Sequence, residues 1–118
     1  MQQRTILVSL LAAALVFGFG TASAKGTAAA GKTKAAACEA CHGADGNGIA
    51  PNYPALAGQY QDYIAQVLHE YKDGQRTNAI MNGMASPLSD QDIDDLAAYF
   101  SSLPSKLSDL HGKVNGGD

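Results

Sequence analysis

The 118-residue chain has no tryptophan, and Phe100 is its only phenylalanine beyond residue 24. Many of its apolar positions are alanines, so large core-forming side chains are scarce. A domain this small buries too little surface to be comfortably stable, and small exported domains usually offset that with disulfides or a metal. Disulfides cannot fill the role here. Cysteine occurs only at Cys38 and Cys41, and a bridge between them would close a loop too short to stabilise much. Basic residues are scarce as well, with 8 Lys and Arg against 11 Asp and Glu, for a formal charge of −3. That balance offers no basic patch for nucleic acid. The length supports one domain, and no stretch alternates well enough to read as a sheet.

Long apolar runs are absent except near the start. Ile6 to Gly20 is apolar apart from one serine, follows the positive Arg4, and precedes the small-residue site Thr21-Ala22-Ser23-Ala24. This is the order of a secretory signal peptide. At 15 residues the run falls short of the roughly 20 that span a bilayer. Cleavage after Ala24 is expected, with residues 1–24 removed and the formal charge moving from −3 to −4. The mature chain is expected in the periplasm, with no stable membrane insertion after cleavage.

Three segments read as helix. Thr27 to Gly43 is rich in alanine and lysine, both good helix formers, and runs into a Gly/Asn/Asp stretch. Tyr60, Ile64, Val67, Leu68 and Tyr71 share one face, and Gly74 suits a left-handed C-terminal cap. Ser89-Asp90-Gln91-Asp92 is a capping-box pattern with acidic residues in the first turn. Ile93, Leu96, Ala97, Phe100 and Leu103 form the stripe that follows, and Pro104 marks its end. Residues 43–59 and 75–87 read as non-helical loops. The polar tail 105–118 is expected to be loosely ordered.

What is present is "ACEACHG", Ala37 to Gly43. On a helix Cys38, Cys41 and His42 stand at i, i+3 and i+4, on one face. A thioredoxin-like redox pair would need a βαβ setting, which is missing. A zinc site would need a fourth ligand, and His69 or His111 would have to travel to supply it. C-x-x-C-H is also the attachment signal for c-type haem, with both thiols forming thioethers and the imidazole reaching iron. A haem would supply the large apolar body that the core lacks.

With these pieces in view the sequence resembles a class I c-type cytochrome, of the small bacterial monohaem kind also found as halves of dihaem cytochromes. The resemblance rests on "AAGKTKAAACEACHGADGNG", "APNYPALAGQ", "MNGMASPLSDQDI" and "DLAAYFSSL". It implies an all-α class I cytochrome c fold over residues 25–104, with short helices around one covalent haem c and the first and last helices crossing. It carries Cys38 and Cys41 over as the thioether positions and His42 as the proximal iron ligand. A proline carbonyl is expected to accept from the other nitrogen of His42, with Pro51 the first choice and Pro54 the second. Counting back from Ser89, as in such relatives, makes Met81 the sixth ligand, with Met84 as the alternative. His69 and His111 are expected to be ordinary histidines. Tyr60, Tyr63, Tyr71 and Tyr99 are expected to fill core or haem cleft, and one of them, Asn52 or Arg76 to bond a propionate.

The function implied is single-electron transfer and not catalysis by the chain itself. Expected partners are membrane-bound respiratory complexes or periplasmic oxidoreductases, met transiently by a monomer through a small, weakly bound interface. Two rivals remain: a haem c subunit or electron-entry module of a larger oxidoreductase, and a gas- or peroxide-binding haem protein.

Overall fold

The computed structural model describes residues 25–106, so the expected signal peptide, His111 and most of the tail lie outside the described residues. Among the described residues the chain is all-helical: α1 (Ala28–Lys34), α2 (Ala36–His42), α3 (Gln61–Lys72), α4 (Ala79–Ala85) and α5 (Asp90–Ser102). No helix among them is long and apolar enough to cross a membrane.

The first helical segment is not continuous. It breaks at the fully buried Ala35, whose N–H makes only a 3.4 Å bond to Lys32 O while its carbonyl takes both Cys38 N and Glu39 N. The ladder tightens there and restarts, which leaves Cys38 to His42 together on α2. Thr27 caps α1 through its side chain, and Gly43, at φ 82°, ends α2.

The reading of α5 holds in detail. The Ser89 hydroxyl accepts from Asp92 N, and the Asp92 carboxylate accepts from Ser89 N. Ile93, Leu96, Ala97 and Phe100 are buried, together with Tyr99. Gly74, at φ 74°, follows the end of α3 as expected.

A helix was not expected over residues 79–85. Asn78 Oδ1 accepts from Ile80 N and Met81 N, while Asn82 Oδ1 takes Asn78 N. Asn82 Nδ2 then donates to Tyr71 O at 2.6 Å and to Arg76 O at 2.8 Å, which fastens α4 to the end of α3. These side-chain bonds offset the helix weakness of Gly83.

The main packing is α1 on α5, followed by α3 on α5 and α4 on α3. Gly31 makes the first possible, because a Cβ there would run into Asp95 O and the Tyr99 side chain. The core is small: Ala35, Ile64, Leu96, Ala97, Tyr99 and Phe100, with Cys38, Leu56, Leu68 and Leu103 packed against it. Among the described residues the largest fully buried side chains are Phe100, Ile93 and Leu96. The tyrosines divide. Tyr99 is core, whereas Tyr60 is 78% exposed as the α3 N-cap residue and Tyr63 is 48% exposed.

Candidate haem-attachment site

Helix α2 presents the motif. Cys38 and Cys41 are free thiols, each partly exposed. Burial, more than the neighbouring Glu39 carboxylate, pushes the Cys38 thiol up. A redox-active C-x-x-C pair needs the opposite, a thiolate stabilised by its surroundings. No three His, Cys, Asp or Glu side chains among the described residues come together to hold a metal ion directly.

His42 is buried at the end of α2. Its Nδ1 lies 2.8 Å from the Pro54 carbonyl oxygen. A carbonyl can only accept, so Nδ1 is the donor, and in a neutral ring that leaves the lone pair on Nε2. This corrects the expectation of Pro51. Tyr53 N bonds to Ala50 O, closing a turn with exposed Pro51 at its second position, where proline's fixed φ is favoured. Pro51 stiffens the turn, and Pro54, three residues later, delivers the carbonyl.

The loop from His42 to Pro54 is held by backbone bonds. Gly48 N donates to His42 O at 2.7 Å and Ile49 N to Cys41 O at 3.2 Å, which ties it to the end of α2. Leu56 N and Ala57 N both donate to Gly46 O. The Tyr99 hydroxyl donates to Glu39 Oε1 at 2.9 Å, joining the middle of the motif to α5.

Met81 and Met84 both lie on α4 and are half-buried. Met81 is in the first turn, its N–H held by Asn78. Asn78 and Asn82 are the supporting residues that sequence reasoning missed. The usable signal was an asparagine in N-cap position ahead of a short apolar run. His69 faces Asp90, with Nδ1 4.0 Å from Oδ1. Arg76 lies over the Tyr71 ring, 5.6 Å from its centroid, and 3.8 Å from Glu70.

These residues fit a covalently held haem. Two uncommitted thiols share a helical face, and the buried imidazole beside them has its tautomer fixed for metal binding. Comparison with known proteins agrees. The sequence model of the family described as "Cytochrome c" matches residues 28–104. Cytochrome c4 of Pseudomonas aeruginosa is 56% identical over 98 residues, covering 82% of this chain and 47% of that protein. Cytochrome c-554(548) of Halomonas halodenitrificans is 52% identical over 80 residues, covering 65% of this chain and 96% of that protein. The crystal structure of reduced recombinant cytochrome c4 from Pseudomonas stutzeri matches with a TM-score of 0.66 at 47% identity, covering 70% of this chain and 48% of that one. The chain thus spans about half the length of the cytochromes c4 that it matches. With motif, fold and relatives in agreement, the chain belongs to the cytochrome c family.

Proposed function

We propose that this chain is a periplasmic electron-transfer cytochrome with one haem c and His42/Met81 axial ligation. The observation that carries the reading is the 2.8 Å bond from His42 Nδ1 to Pro54 O behind a C-x-x-C pair of free thiols. Cys38 and Cys41 would hold the haem as thioethers, and the haem would supply the one-electron couple. His42 Nε2 and the Met81 thioether would ligate its iron. A His/Met pair raises the potential and leaves no open position for a substrate. The chain's own contribution is to orient the imidazole, increase its basicity through the Pro54 carbonyl, and exclude water around it.

Partners are proposed to be other redox proteins, docking transiently with a monomer. A pyridine haemochrome assay tests the cofactor, with one covalent haem per chain expected. A weak near-red band in the ferric spectrum tests the thioether ligand. An absorption spectrum typical of an open axial site, together with ready peroxide or gas binding, would replace electron transfer by a ligand-binding role.

The second reading is a haem domain or subunit within a larger redox protein. It is favoured by the cytochromes c4, in which the matching region is about half of a longer chain. Copurification of a fixed partner without crosslinking would select this reading over a free carrier.

A further inference from the structure

Asn47 has no part in the attachment motif, yet its side chain makes three hydrogen bonds. Its Nδ2 donates to Asp45 O at 2.9 Å and to Pro104 O at 3.2 Å, and its Oδ1 accepts from Lys106 N at 2.8 Å. Oxygen faces a donor and nitrogen faces two acceptors, a pattern that only an amide satisfies. Asn47 therefore buckles the segment after α5 to the loop behind His42.

The next residue carries the connection inward. Gly48 N donates to His42 O at 2.7 Å, and Gly48, at φ 79°, presses so closely on the Tyr53 carbonyl that a Cβ would collide with it. Tyr53 precedes Pro54, whose carbonyl takes the His42 proton. On the other side Gly46 O takes Leu56 N and Ala57 N, just beyond Pro54. Asn47 thus sits between two glycines that bracket the Tyr53–Pro54 peptide.

We propose that Asn47 is a positioning residue for His42, holding the Pro54 carbonyl against Nδ1 by anchoring Gly46 and Gly48 to the segment after α5. The proposal rests on His42 as the proximal ligand. A firmly held carbonyl gives the imidazole more anionic character, which favours ferric iron. Loosening the buckle should weaken that bond and raise the reduction potential.

The experiment uses the haem-loaded protein in wild-type, Asn47→Ala, Asn47→Asp and Lys106→Ala forms. Lys106→Ala is the control, because it removes the 2.7 Å Lys106–Asp45 ion pair and keeps the main-chain N–H that Asn47 accepts. NMR follows exchange of the His42 Nδ1 proton in the ferrous state, and a redox titration gives the potential. Both Asn47 variants should exchange this proton about five- to tenfold faster, the effect of losing roughly one hydrogen bond of ordinary net strength, and should titrate at higher potential. Lys106→Ala should match wild type. If both Asn47 variants melt earlier but keep wild-type exchange and potential, Asn47 is only a structural staple and the proposal fails. Should Asn47→Ala not retain haem, Asn47→Asp, which keeps the acceptor for Lys106 N, decides by the same two readouts. A wild-type protein with no ring-current-shifted His42 Nδ1 proton would overturn the ligand assignment and the proposal with it, a failure visible before any variant is compared.

Discussion

Met81 owes its position to asparagines. Asn78 caps its N–H and Asn82 clips the helix to Tyr71 and Arg76. If Met81 is the sixth ligand, Met81→Ala should lower the reduction potential and let ferric iron bind cyanide or imidazole readily, since the thioether favours the ferrous state. Met84→Ala should shift the potential only modestly, through packing. The reverse pattern would exchange the two assignments. Asn82→Ala should leave both thioethers in place but loosen α4, with a lower melting temperature and faster cyanide binding than wild type. The motif of Cys38, Cys41 and His42 was legible in the sequence because its three residues stand at fixed local spacing. The proline was not, because two prolines three apart in one loop are equivalent on paper. Only the folded loop shows which carbonyl meets His42, that of Pro54, 2.8 Å from Nδ1.

At the scale of elements, α1 and α5 are joined by a buried carboxylate. Asp95 Oδ1 accepts from Thr27 N at 2.8 Å and from Gln91 Nε2 at 3.1 Å, while Oδ2 meets Lys34 Nζ at 2.7 Å. Lys34 also pairs with Asp92. The Lys34 ammonium, first among the causes, holds both carboxyls below their ordinary value, helped by Thr27 N–H at Asp95 and Ser89 at Asp92. The two carboxylates in turn raise Lys34. The unfolded chain therefore takes up protons on these aspartates at higher pH than the folded one. Their stabilisation is complete above the usual aspartate range, near about 3.9, and falls away as pH drops through the lower folded values. The lysine contribution has the opposite sense, present below its unfolded value and lost as pH rises through the raised folded one. Thermal melts from neutral to acid pH should show wild type losing stability more steeply than Asp95→Asn. Equal slopes would mean that the clasp contributes little. Along the same helix, Phe100→Ala should cost about 3–5 kcal/mol as a truncation of a large buried side chain, measurable by denaturant unfolding. Helix α5 was legible because cap, stripe and terminating proline all lie within its own sequence. Helix α4 was not, because Gly83 and a short span argue against it locally, and the bonds from Asn82 to Tyr71 and Arg76 come from elsewhere in the chain.

For the molecule as a whole, the question is what a core whose largest fully buried side chains, among the described residues, are Phe100, Ile93 and Leu96 can hold together. The haem was legible from that shortage, since a sequence poor in core residues but equipped with C-x-x-C-H points to a haem as filler, whereas the fold class came from the family resemblance. Lys106, two residues past the boundary expected at Pro104, bonds to Asn47 and Asp45. Truncation after Lys106 should therefore cost less than truncation before Ser105, as thermal melts of the two would show. The stronger test removes the cofactor. Folding must offset roughly 1–2 kcal/mol of backbone entropy per residue, and alanines such as Ala35, Ala57, Ala85 and Ala97 contribute little burial in return. Cys38→Ser with Cys41→Ser should prevent covalent haem retention and leave a chain with weak far-ultraviolet helical signal and no cooperative melt. Either single serine variant should retain haem through the remaining thioether, in lower yield. A double variant that is haem-free yet helical, with a sharp thermal transition, would show that α1, α3 and α5 suffice as a core, and that haem serves this chain for redox chemistry without being needed for its fold.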